Sequence, residues 1–147
     1  MCIRDSPNLM TDMPGASKIS VLVVDDDPSI LVITRLSLER DGEFQVRVAR
    51  SAPEALALLE TRTFDAIVSD YKMPPVNGVD FLAMLRVQDT DTPFILFTSM
   101  ARRHFTPSLF DGVLTHYLSK EQGLADSCVA LVHTIHRACE ASGEGRG

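Results

Sequence analysis

The sequence predicts an α/β domain, a (βα)5 doubly wound five-stranded parallel sheet. Three observations predict it. Short runs of β-branched and aliphatic residues recur at near-regular spacing, helix-like stretches with apolar residues three and four apart lie between them, and polar residues able to do chemistry follow the ends of several runs. Right-handed crossovers then make the sheet doubly wound.

Ile19 to Val24 is an unbroken aliphatic run apart from Ser20, as expected for a central strand covered on both faces. It stops at Asp25-Asp26-Asp27-Pro28, and a proline is tolerated in the first turn of a helix, so Ser29 to Arg40 reads as the first helix, ending near Gly42. Phe44 to Ala49 alternates apolar and polar, the pattern of a strand nearer the sheet edge. Ser51 is an N-cap for a helix to Arg62, whose Ala52, Ala55, Leu56 and Leu59 form one inward stripe.

Phe64 to Ser69 is the third strand and closes on Asp70. A proline-rich loop, Met73-Pro74-Pro75-Val76-Asn77-Gly78, leads into a helix from Val79 to Val87 that turns Phe81, Leu82 and Leu85 to the sheet. Asn77-Gly78 reads as turn chemistry needing a positive φ. Phe94 to Phe97 is the fourth strand, ending on Thr98-Ser99. Ala101 to Asp111 contains Pro107, which breaks a helix interior, so a short or irregular helix is expected there. Val113 to Leu118 is the fifth strand, ending at Ser119-Lys120, and Leu124, Cys128, Leu131, Ile135 and Ala138 mark a long amphipathic closing helix.

With 147 residues, 45% of them hydrophobic, the chain holds one globular domain, placed at residues 18–140. Residues 1–17 read as a disordered leader, non-native or preceding the true start at Met10 or Met13, and the Gly- and Ser-containing residues 141–147 as a flexible tail. A net charge of −6 argues against a nucleic-acid surface, which needs clustered Lys and Arg. No apolar run is long enough to span a membrane, and Cys2, Cys128 and Cys139 show no metal-ligand spacing, so the expectation is a cytoplasmic protein with no membrane contact. Cys128 and Cys139, eleven residues apart, sit about 16 Å apart on one helix and cannot pair.

Asp25, Asp26, Asp70, Thr98 and Lys120 all fall at or just past the carboxyl end of a predicted strand, the edge where open α/β sheets place ligands. Each alone has a bland reading. The Asp25-Asp26-Asp27 run could simply favour a helix N-terminus, Thr98 could cap a helix, and Lys120 could be a solvated charge. Their shared edge makes the case. Three converging carboxylates repel unless a cation neutralises them, and an all-oxygen donor set suits a hard ion such as Mg²⁺. Asp26 and Asp70 are assigned as direct ligands, Asp25 as direct or through water, and the Lys72 backbone carbonyl as a further ligand. Asp70 is the candidate nucleophile toward phosphorus, with Lys120 and Thr98 as partners for phosphoryl oxygens.

Val23-Val24-Asp25-Asp26-Asp27-Pro28, Asp70-Tyr71-Lys72-Met73-Pro74 with Asn77-Gly78, Phe97-Thr98-Ser99 and Tyr117-Leu118-Ser119-Lys120 resemble the receiver domains of two-component response regulators, over residues 18–138. The wording around Phe64 to Pro74 and Pro93 to Thr98 is similar to receivers of an archaeal-type subgroup. The resemblance implies a flavodoxin-like fold with strand order 2-1-3-4-5 and Asp70 as the phosphorylation site. It implies Asp25 and Asp26 as the metal pair, Thr98 as the switch hydroxyl, Lys120 as the phosphoryl-binding lysine and Tyr117 as the switch aromatic. It also implies a histidine kinase or phosphotransfer protein as donor and an effector protein or domain downstream, in a monomer or weak dimer. The chain would be a signalling phosphoacceptor and not an enzyme, with intrinsic autophosphorylation and autodephosphorylation.

Three positions depart from the family pattern. Glu121 stands where a proline usually follows the lysine, so no cis peptide is expected there. Pro75 replaces a usual glycine, and Pro107 interrupts the fourth helix. Two rival readings are a haloacid-dehalogenase-like phosphohydrolase with Asp25 as nucleophile and a receiver-like interaction module without turnover. The short chain, without a cap domain, counts against the first. His104, His116, His133 and His136 read as surface groups; His133 and His136 share a helix face but lack a third ligand. Arg102 and Arg103 read as a solvated loop.

Overall fold

The computed structural model describes residues 18–110 and 114–146. Five strands, β1 (Ile19–Val24), β2 (Phe44–Ala49), β3 (Ala66–Ser69), β4 (Phe94–Thr98) and β5 (Thr115–Ser119), form one parallel sheet in the order β2-β1-β3-β4-β5. Four α-helices connect and cover it: α1 (Pro28–Glu39), α2 (Ala52–Leu59), α3 (Gly78–Gln88) and α4 (Leu124–Arg146). The predicted fold class and strand order are those observed. The leader, Cys2 and Val113, the expected first residue of the fifth strand, lie outside the described residues.

Local chemistry places the helix starts. Asp27 caps α1 by accepting from the Ser29 N–H at 2.9 Å, with Pro28 in the first turn, and Ser51 caps α2 by accepting from the Glu54 N–H at 3.2 Å. Asn77 caps α3, its side-chain oxygen accepting from the Asp80 N–H at 2.8 Å. Gly42 and Gly123, at φ +81° and +95°, supply the left-handed turns after α1 and before α4.

The sheet separates two cores. On one face α1 and α4 close over Val21, Val23, Ala66, Val68, Ile95 and Phe97 with Leu31, Leu38, Leu131 and Ile135. On the other, α2 and α3 cover Leu22, Val24, Ile67, Phe94 and Leu96 with Ala52, Ala55, Phe81 and Leu85. Both faces of β1, β3 and β4 are thus covered, which is why those strands read as continuous apolar runs.

Four readings need correction or refinement. Gly78 is not among the residues at positive φ. The third strand starts at Ala66; just before it, Asp65 joins Ser20 twice, its N–H donating to the Ser20 carbonyl at 2.7 Å and its carboxylate accepting from the Ser20 N–H at 2.8 Å. The backbone of α4 stays helical to Arg146, through six of the seven residues read as tail, since extending a formed helix needs no new nucleus. Between β4 and β5 there is no α-helix but two 3-10 turns, Arg102–His104 and Pro107–Phe110, as the proline at 107 foretold. Among the described residues the one cis peptide is Pro74–Pro75, and Lys120–Glu121 is trans. Cys128 and Cys139 are both free and buried. No helix of the described residues is long and apolar enough to cross a membrane.

Candidate functional site

Asp25, Asp70, Thr98 and Lys120 reach the same sheet edge by ordinary strand hydrogen bonding, and Asp26 follows Asp25 in the chain. Past β1, the Asp25 N–H donates to the Ala49 carbonyl at 3.1 Å, and past β3 the Asp70 N–H donates to the Val24 carbonyl at 2.9 Å. The Lys120 N–H donates to the Thr98 carbonyl at 3.0 Å, which sets the ends of β4 and β5 side by side. The ladder therefore places five residues, up to 95 positions apart, within one small volume.

The run of three aspartates divides its work. Asp27 caps α1, while Asp25, Asp26 and Asp70 each offer a carboxylate oxygen, all three within 4.8 Å of one another. Asp25 is buried at 3% exposure, Asp70 is half-buried and Asp26 faces solvent. Such a set of hard oxygen donors suits a hard divalent cation and opposes burial without positive charge. The residues present fit Mg²⁺ in donor type and number, with Asp26 on the solvent side.

Lys120 supplies the positive charge. Its Nζ lies 2.6 Å from Asp25 Oδ2 and 3.7 Å from Asp70 Oδ2, and 5.3 Å from the centre of the Phe97 ring. The other Asp25 oxygen accepts from the Asp27 N–H at 3.0 Å. Asp70 is held less completely: Oδ1 accepts from the Tyr71 N–H at 2.7 Å, and the Thr98 side chain donates to the same carboxylate. Burial pushes the Asp70 carboxyl above its ordinary range; Lys120 opposes the shift, neighbouring Asp25 adds to it, and the two hydrogen bonds oppose it.

Sequence reasoning missed the supports beneath Asp70. A side chain at Gly78 would place its Cβ 2.2 Å from the Asp70 carbonyl oxygen, so only glycine lets the start of α3 pack there, and the Gly78 N–H donates to the Tyr71 carbonyl at 2.8 Å. The Ser69 hydroxyl donates to the Asp70 carbonyl at 2.8 Å. The Asn-Gly pair was visible as a signal but pointed to the wrong cause; nothing in the sequence marks Ser69.

Tyr117 on β5 is half-buried, its hydroxyl donating to the Met100 carbonyl at 2.7 Å, and the Met100 N–H donates to the Thr98 hydroxyl at 3.2 Å. Lys72 is exposed in the loop after Asp70. His104 and His133 are exposed; His136 packs on Phe44 and lies 3.5 Å from Glu43. Arg102 stacks over the Phe110 ring at 4.8 Å.

The profile of the family described as the response regulator receiver domain matches residues 21–131. A putative transcriptional regulator of Pseudomonas aeruginosa is 30% identical over 110 residues, which is 75% of this chain and 53% of that protein. The response regulator SaeR of Staphylococcus aureus is 36% identical over 86 residues, 58% of this chain and 37% of that protein. The chain thus spans about half or less of the length of these two relatives. A CheY-like response regulator receiver domain protein from Methanospirillum hungatei superimposes with a TM-score of 0.72 at 28% identity, over 89% of this chain and 100% of that one.

Proposed function

The chain belongs to the response regulator receiver domain family, a family of two-component signalling phosphoacceptors, and on that premise we propose that Asp70 is its phosphorylation site. The observation that carries the reading is the convergence of Asp25, Asp26, Asp70, Thr98 and Lys120 on one sheet edge. Asp70 is the nucleophile rather than Asp25. The Asp25 carboxylate is buried and engaged on both oxygens, whereas Asp70 stands at the mouth with its side chain 15% exposed.

The donor is a phosphohistidine of a histidine kinase or phosphotransfer protein. An Asp70 carboxylate oxygen attacks phosphorus, the P–N bond breaks with its electron pair returning to the imidazole, and an acyl phosphate forms. Asp25, Asp26, Asp70 and the Lys72 carbonyl would hold Mg²⁺, which supplies neutralisation of charge on the phosphoryl group. Lys120, already within 3.7 Å of Asp70, contacts one phosphoryl oxygen, and Thr98 donates to another. The product adds about −1.5 to −2 charge at this edge by analogy with other phosphorylated side chains. Thr98 then moves toward the phosphoryl group and releases Met100, and Tyr117 follows. The surface formed by β5, the 3-10 turns and α4 changes for an effector protein or domain. Small phosphodonors load the same carboxylate, and water removes the phosphoryl group again. The protein works in the cytoplasm as a monomer or weak dimer.

The test is incubation with acetyl phosphate and Mg²⁺, borohydride reduction of the acyl phosphate and mapping of the modified residue. Modification at Asp70, abolished by Asp70→Asn and by removal of Mg²⁺, is the expected result. Modification at Asp25 would instead support a phosphohydrolase, and no modification at any residue would leave a binding module without turnover.

A further inference from the structure

Two chains of contact leave Asp70 and meet at Tyr117. One is polar: Asp70 to the Thr98 hydroxyl, Thr98 to the Met100 N–H at 3.2 Å, and the Met100 carbonyl to the Tyr117 hydroxyl at 2.7 Å. The other is aromatic. The Tyr71 N–H holds Asp70 Oδ1 at 2.7 Å, the Tyr71 ring meets Phe105 edge-on at 5.0 Å, and Phe105 meets the Tyr117 ring at 6.3 Å. Phe105 is 9% exposed and lies in the bend between the two 3-10 turns, outside any α-helical ladder.

We propose that Phe105 is a positioning residue that ties the Tyr117 ring to the chemical state of Asp70 through Tyr71. This inference rests on Asp70 being the phosphorylation site. Turning the Asp70 carboxylate into an acyl phosphate removes its anionic charge, so Oδ1 weakens as an acceptor whichever oxygen bridges to phosphorus, and the Tyr71 N–H readjusts. Packed rings do not slide continuously; they exchange between discrete arrangements. A Tyr71 ring that shifts therefore forces Phe105 to repack, and Phe105 in turn carries Tyr117. The polar route acts on the Tyr117 hydroxyl, whereas the aromatic route acts on its ring. The short turns make that repacking cheap, because Phe105 moves without unwinding a helix.

The chain has two tyrosines, so incorporation of fluorotyrosine gives two resolvable fluorine signals, assigned with Tyr71→Phe. Beryllofluoride with Mg²⁺ serves as the phosphoryl probe, and the bound fluoride resonance reports occupancy of Asp70. In the wild-type chain the Tyr117 signal should shift on saturation. In Phe105→Leu the probe should still bind, but the Tyr117 shift should shrink to the part carried by the polar route, and Phe105→Tyr, which adds a third fluorine signal of its own, should restore it. Phe105→Met is a second replacement of similar volume should the leucine variant fail to fold. A Phe105→Leu chain whose Tyr117 shift equals that of wild type would overturn the inference, as would a wild-type chain that binds the probe without moving Tyr117. Failure of the wild-type chain to bind the probe at all would instead strike the assignment of Asp70 and bring the inference down with it.

Discussion

On one face of the sheet, α1 and α4 lay two complete helices of 12 and 23 residues over a mainly aliphatic core. On the other lie α2 and α3, of 8 and 11 residues, and two 3-10 turns stand where a fourth βα unit would carry its helix. The second face is also the more aromatic one, with Phe105 and partly buried Tyr71, Phe110 and Tyr117 packed against one another, beginning at the residue after Asp70. The contrast separates tasks. A closed face gives the aspartates a fixed platform, and a face with broken helical bonding next to Asp70 is free to rearrange at low cost.

The largest expected effect tests the platform. Leu131→Ala, at a fully buried position on the inner side of α4, should cost about 2–5 kcal/mol in urea unfolding. Leu109→Ala, on the 3-10 side, should cost distinctly less, and equal losses would break the contrast. Next is Gly78→Ala, which forces a Cβ against the Asp70 carbonyl and should cost about 1–3 kcal/mol while reducing labelling by acetyl phosphate. Activity unchanged in that variant would show that the support under Asp70 is not needed.

Tyr117→Phe should cost about 0.5–1.5 kcal/mol by removing the bond to Met100, with phosphorylation retained. The smallest effect concerns pH. Burial raises the folded-state pKa of Asp70, so folded chains hold a proton that unfolded chains have released. Its stabilising share is present below the ordinary carboxyl pKa and lost as pH rises through the raised one. Without divalent ions, Asp70→Asn should therefore gain in melting temperature over wild type as pH rises above the ordinary carboxyl range of about 4. A constant difference across that rise would contradict the assigned burial.

The sequence made the fold legible because buried parallel strands leave continuous apolar runs and helices leave caps; Asp27 and Ser51 mark two starts directly. Site membership was legible for the same reason: strand ends in this topology share an edge, so Asp25, Asp70, Thr98 and Lys120 could be grouped without coordinates. What stayed hidden depends on through-space fit. The packing of Gly78 on a carbonyl, the Ser69 hydroxyl beneath Asp70 and the Tyr71–Phe105 contact join positions whose residue types have no local pattern. The extent of α4 was hidden for another reason: glycines at 143 and 145 lower helix propensity, but propagation from a packed helix outweighs them.

The all-parallel order of the sheet has a practical corollary. Every strand begins at the rim remote from Asp70, and the connections there, residues 40–43, 60–65 and 89–93, contribute no group to the acidic cluster. Dyes, affinity handles or inserted peptides attached along that rim should leave phosphoryl chemistry untouched. A reporter placed there would watch the domain from behind, without standing between it and whatever docks in front.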